Sequence, residues 1–188
     1  MPTRRTLLRH TALAGLAVAL DGTARADQAA SAAPPEVLAA LPEARLIGSG
    51  RLRYFGLSVY DASLWAPPDF RAAAFANQRF ALSLTYLRSF SANEIAQRTL
   101  QEIRRVHDVS PELARVWLTS LQNVLPDVVA GDRITGLHPP GGVAFWHKER
   151  KLGDMGDAAF GSRFFGIWLA DSTSEPGLRK ALLARAAS

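Results

Sequence analysis

The stretch from Gly48 to Ala66, GSGRLRYFGLSVYDASLWA, constrains the fold more than any other part of the chain. Leu52, Tyr54, Leu57 and Val59 alternate with Arg51, Arg53 and Ser58. An apolar residue at every second position puts one face of a strand on a core and the other in water. Gly56 breaks that parity once, and an internal Gly in a strand pattern predicts a bulge. The expectation is one long bent strand, with Arg51 and Arg53 on the face opposite Leu52 and Tyr54.

Later segments supply partners for it. Phe80, Leu82, Leu84 and Tyr86 alternate in the same way. Ser91 and Glu94 form a capping-box pattern ahead of a helix whose stripe is Ile95, Thr99, Leu100 and Ile103, with Arg104 and Arg105 at its negative end. Ser110-Pro111 opens a second helix carrying Leu113, Val116, Trp117, Leu121 and Val124. Gly131–His138, Val143–Lys148 and Lys151–Met155 read as strands, the first two joined by a Pro-Pro-Gly-Gly turn. Asp157 caps a helix bearing Phe160, Phe164, Ile167 and Trp168, and Ser174-Glu175-Pro176 opens a last one. Strands, helices, strands, helices: this order predicts an α+β fold, a large antiparallel sheet with a helical layer.

The first 26 residues have a different character. Arg4, Arg5 and Arg9 precede an apolar stretch from Thr11 to Leu20, and Ala24 and Ala26 supply small residues for cleavage. That is the pattern of an export signal, too short in its apolar part to span a bilayer. The adjacent arginines of Thr3-Arg4-Arg5-Thr6-Leu7-Leu8 fit twin-arginine export of a folded protein. The expected organisation is a signal at 1–26, a flexible Ala/Ser/Pro-rich leader at 27–40 and one domain at 41–188, with a periplasmic or otherwise exported destination and no transmembrane anchor after cleavage. Removing the signal takes away four Arg and one Asp, so the formal charge falls from +5 to +2. The high pI of the whole chain therefore carries no argument for nucleic acid, and no basic stripe with interleaved aromatics exists. With no cysteine, disulfides, thiolate metal sites and thiol catalysis are all excluded.

Few residues carry chemistry on their own. No nucleophile elbow and no phosphate cradle is present. His107, His138 and His147 are the histidines beyond the signal, and none has paired metal-ligand spacing. They are the candidate axial ligands if haem is bound. Arg51 and Arg53 on one sheet face have the geometry to hold an anion bidentately. Glu102, close to the helix stripe, would pair with an Arg if it faces the sheet.

Several stretches together resemble the chalcone isomerase-like family, particularly an exported bacterial branch. They are GSGRLRYFGLSVYDASLWAP, FALSLTYLRSFSANEIAQRTLQEIRR, PDVVAGDRITGLHPPGGVAFWH and FGSRFFGIWLADSTSEPGLRKALL, running from Leu46 to Leu183. The resemblance implies an open-faced β-sandwich with a cleft between sheet and helices. It also implies that the plant enzymes' polar set is mostly missing here: Phe55 stands at the strand Thr position, Ile95 at the Tyr position, Glu102 at the Asn position and Ile167 at the second polar position. Only the strand Arg has a counterpart, Arg51 or Arg53. Relatives without the catalytic set are linked to fatty acids or haem.

The expected function is thus an exported, non-catalytic binder of a small hydrophobic anion, haem or a fatty acid. Its ligand-binding candidates are Arg51, Arg53, Phe55, Ile95, Glu102 and Ile167. The alternative is an isomerase or intramolecular lyase using Arg53 and Glu102. A third reading is a structural accessory of the cell envelope.

Overall fold

The structure is a computed structural model describing residues 32–139 and 141–187. The export signal and leader residues 27–31 lie outside the described residues. Among the described residues, no helix is long and apolar enough to cross a membrane.

Six strands form one antiparallel sheet in chain order: β1 (Arg45–Tyr54), β2 (Leu57–Ala66), β3 (Phe80–Tyr86), β4 (Arg133–His138), β5 (Val143–His147) and β6 (Arg150–Met155). The segment expected to be one bent strand is a hairpin. Tyr54 pairs with Leu57, and the two residues between them, Phe55 and Gly56, have φ of 48° and 78°. Two consecutive residues in the left-handed region reverse the chain in a tight turn whose twist suits the flanking strands. Gly56 thus breaks the alternation as part of a turn. The bulges lie elsewhere: the register shifts at Ile47 and again at Val59.

Face parity nevertheless follows the sequence. Tyr60, Ala62 and Leu64 of β2 lie level with Tyr86, Leu84 and Leu82 of β3, and Ile134 and Gly136 of β4 continue the rows. These residues form the inner face. Against it pack α2 (Ala92–Val106), α3 (Pro111–Val124), α4 (Ala158–Leu169) and α5 (Pro176–Leu182). The first two fill the connection between β3 and β4. The capping box of α2 is complete: the Glu94 amide donates to Ser91 Oγ, and the Ser91 amide donates to Glu94 Oε2. Asp157 accepts from the amides of Ala159 and Phe160 at the start of α4. Burial alone pushes its carboxyl up; these amides and the Trp117 indole outweigh that and hold it below the ordinary value.

Close contact between α5 and β1 depends on glycine. A Cβ on Gly48 would come 2.5 Å from Leu182 O and collide with Ala181 O, while one on Gly50 would come 2.8 Å from Leu178 Cδ1. The helix backbone therefore rests on the strand itself.

The outer face is covered in part by α1 (Pro35–Ala40), whose Val37 joins Leu41 against Trp65, Ala81 and Leu137. The leader expected over 27–40 is thus helical at residues 35–40, in line with the short helical turn that the sequence allows from Pro35 to Leu41. The composition of 27–40 is that of a linker, but Glu36 ties residues 35–40 to the sheet. Its buried carboxylate accepts from Thr135 Oγ1 at 2.8 Å and from Arg133 at 3.2 and 3.3 Å. Thr135 also shares a hydrogen bond with Ser83 on β3.

Candidate functional site

A cavity of about 390 Å³ opens between the hairpin end of the sheet and the helices. The chain builds it from residues of both layers. Leu52, Tyr54, Leu57 and Tyr60 come from β1 and β2, Leu84 and Tyr86 from β3, and Ile134 and Phe145 from β4 and β5. Ile95 and Thr99 face it from α2, and Phe164, Ile167 and Trp168 from α4. An apolar wall with few polar groups is the usual form of a small-molecule site, and this volume lies toward the small end of such sites.

Two tyrosines supply the inner polarity. Trp168 Nε1 donates to the Tyr60 hydroxyl at 2.9 Å, and the Tyr60 and Tyr86 rings meet edge to face with centroids 6.0 Å apart. Burial pushes the ionisation of both well above the usual tyrosine value, so both remain protonated in neutral solution. They are hydrogen-bond donors, not bases, at that pH.

The rim is charged. Glu102 is held by Arg98 at 2.7 Å, by Arg105 at 3.2 Å and by Ser174 Oγ at 2.9 Å. The Arg98 guanidinium also lies over the Tyr54 ring, 5.4 Å from its centroid. Arg88, in the loop after β3, is exposed and lines the cavity mouth. Among the described residues, no carboxylate pairs with it.

Three of the ligand-binding candidates from the sequence meet here: Ile95, Glu102 and Ile167. Arg51 and Arg53 do not line the cavity, because Leu52 and Tyr54 occupy that face of β1. Arg51 instead makes a bidentate pair with Asp61 across the hairpin, at 2.6 and 2.8 Å. Phe55 is 88% exposed at the turn, outside the cavity. Glu102 pairs within its own helix and not with a strand arginine. Sequence reasoning did not single out Tyr60, Tyr86, Arg88 or Arg98. Alternation put Tyr86 on the inner face, but nothing marks a loop arginine as facing a cavity.

None of the three histidines lines the cavity. His107 closes the C-terminal end of α2. His138 is buried beside Phe80 and Phe165, and its Nδ1 donates to Gln78 O at 2.7 Å. His147 Nε2 lies 3.3 Å from Asp132 Oδ1, misaligned for a hydrogen bond. Asp132 is held well below the usual carboxylate range by Lys148, with help from the Val129 amide. The cavity therefore offers haem iron no imidazole, and tyrosinate ligation is opposed by the burial of both hydroxyls. Its residues do not fit an axial haem ligand. Among the described residues, no group of His, Asp and Glu converges to hold a metal ion.

Comparison with known proteins fits this architecture. Sequence comparison with curated proteins gives no match. Among solved structures, the chain is similar to the crystal structure of the Arabidopsis thaliana fatty-acid binding protein AtFAP1, with a TM-score of 0.58 and 12% identity, over 75% of this chain and 87% of that one. At this identity the likeness is one of fold: a six-stranded antiparallel sheet, open on one side, with a helical layer on the other. The chalcone isomerase-like family matches residues 27–184, nearly everything beyond the expected export signal. The chain belongs to the chalcone isomerase-like family.

Proposed function

We propose that this protein is a non-catalytic binder of a small hydrophobic carboxylate, a single-chain fatty acid, held in the cavity between sheet and helices. The observation that carries the proposal is the combination of an apolar interior with a cation lacking a partner at its mouth. Leu52, Leu84, Ile95 and Ile167 surround an aliphatic chain, and Arg88 receives its carboxylate. Tyr86, whose hydroxyl has no side-chain partner among the described residues, adds a neutral donor within the cavity. A fatty acid is preferred to haem because no histidine lines the cavity and both tyrosines resist ionisation. The fold shared with a plant fatty-acid binding protein supports the same ligand class. Export, by the twin-arginine route, is part of the reading; it rests on the pattern of residues 1–26 and on a family match beginning at residue 27.

The test is equilibrium titration of the mature protein with a fluorescent dansyl-labelled undecanoic acid, followed by displacement. Laurate should displace the probe and dodecylamine should not, because the anchor is a cation. Ile167→Trp, which fills the cavity, should weaken binding at least about tenfold. Absence of saturable binding, or equal displacement by the amine, would sink the proposal.

A further inference from the structure

The turn of the β1–β2 hairpin carries a residue that the fold does not need. Phe55 occupies the first position of a two-residue turn with φ of 48°, a conformation suited to Asn, Asp or Gly and poor for a bulky side chain. It buries nothing in the core; its one ring contact is with Tyr54, at 4.5 Å. Strain and exposure together at one apolar residue point to a role outside folding. Leu57, across the turn, is 55% exposed, and Tyr54 and Leu57 both line the cavity mouth. Tyr54 thus links the tip to the cavity, touching Phe55 on one side and lining the mouth on the other.

The charges beside the tip give the partner its sign. Arg53 and Arg88 are exposed and have no ion-pair partner among the described residues. Two nearby carboxylates are ion-paired, Asp61 with Arg51 and Glu102 with Arg98 and Arg105. Glu94, bonded to Ser91, and Glu175 carry no ion pair on the cavity rim among the described residues. An exposed aromatic tip flanked by unpaired arginines fits an anionic lipid surface, where the ring enters the headgroup boundary and the guanidinium groups meet phosphates.

We propose that the Phe55 tip docks this protein on anionic membranes, and that the cavity exchanges its ligand with the bilayer through the mouth beside Tyr54 and Leu57. The second half rests on the fatty-acid reading above. Attachment by one aromatic ring is weak and reversible, which suits a carrier that must leave again.

Vesicle flotation tests the docking. The mature protein should float with vesicles of equal parts phosphatidylglycerol and phosphatidylcholine, much less with phosphatidylcholine alone, and less again as salt is raised. Phe55→Asn should reduce flotation about tenfold. Because Asn suits the turn, its melting temperature should equal or exceed that of the wild type. Wild-type protein that does not float, a Phe55→Asn protein that floats as well as wild type, or equal binding to neutral vesicles would overturn the proposal. So would concentration-dependent self-association abolished by Phe55→Asn, which would make a second copy the occupant of the tip. Probe titration without vesicles keeps the two proposals apart. Probe binding without flotation removes the docking and the exchange but leaves the fatty-acid reading, and flotation without probe binding removes the fatty-acid reading and the exchange that rests on it but leaves the docking.

Discussion

Trp168 Nε1 and the Tyr60 hydroxyl, 2.9 Å apart, form a direct polar bond between the helical layer and the sheet within the cavity wall. Its two sides are unequal. The indole has one donor and no other described partner, whereas the hydroxyl also faces the cavity. Tyr60→Phe therefore leaves a buried N–H without an acceptor and should cost about 1–3 kcal/mol, while Trp168→Phe leaves the hydroxyl a route to water or ligand. Denaturant unfolding of both single variants and the double variant should give a coupling free energy of about 1 kcal/mol. No coupling would mean that the bond contributes nothing measurable.

Glu36 should matter more than a residue next to a linker-like segment usually does. Its carboxylate is buried, while Arg133 keeps 28% of its side chain exposed. Breaking a fully buried pair costs about 3–5 kcal/mol. Here the remaining guanidinium can be partly rehydrated, so Glu36→Ala should cost less, about 2 kcal/mol. It should also free α1 from the outer face, and limited proteolysis should then cut ahead of Arg45 faster than in the wild type. Unchanged cutting would show that Val37 and Leu41 hold the helix without the carboxylate.

His138 should make the protein acid-sensitive. Burial lowers its pKa below the ordinary 6.5, with the Gln78 carbonyl pulling weakly the other way. As pH falls through 6.5 the unfolded chain takes up a proton that the folded chain refuses, so stability drops from there downward until the folded ring also protonates. Above 6.5 this histidine contributes no slope. His138→Leu should lose about 1 kcal/mol at neutral pH, for the lost bond to Gln78 O, and should show a shallower loss on acidification. Parallel slopes for the two proteins in chemical unfolding across that range would assign the sensitivity elsewhere.

Gly48→Ala tests the helix–strand contact directly. The added methyl would meet main-chain oxygens of α5, which cannot rotate away as a side-chain tip can. A loss of about 3 kcal/mol or more is expected, with partial detachment of α5. Gly50→Ala should be milder, since its nearest neighbour is the movable Leu178 side chain. Thermal melts that rank the two the other way would contradict the backbone-contact account.

Period and caps made most of this architecture legible. The inner rows Leu52–Tyr54 and Phe80–Tyr86, the capping box at Ser91 and the Asp157 cap all follow from local chemistry that tertiary structure does not override. The hairpin was misread because Phe-Gly is a poor turn sequence: the signal for a two-residue turn is Asn or Asp before Gly, and Phe55 violates it. The site was half legible. Ile95, Glu102 and Ile167 were located through family resemblance, and alternation kept Arg51 and Arg53 off the inner face. Glu102's ion-pair partners Arg98 and Arg105 stand at helical spacing, four before and three after it, but Ser174 was hidden because it approaches from a distant loop, and no spacing in sequence encodes that. Arg88 was hidden for the same reason, lying beyond the end of its strand, where alternation stops giving direction. The ordering of residues 35–40 depends on Glu36 meeting Thr135, 99 positions away.

The contact of the C-terminal segment with β1 has a further consequence. An open sheet has two free margins, and an unpaired margin can recruit another chain's strand. At β1, Arg185 N donates to Ile47 O at 3.0 Å, at the bulge where regular pairing is already interrupted, and Arg45, Arg51 and Arg53 crowd the same strand with charge. At β6, Arg150, Lys151 and Asp154 do the same for the opposite margin. The segment at Arg185 thus covers part of the β1 margin, and a protein shortened to Leu183 should stay folded longer than it stays in solution.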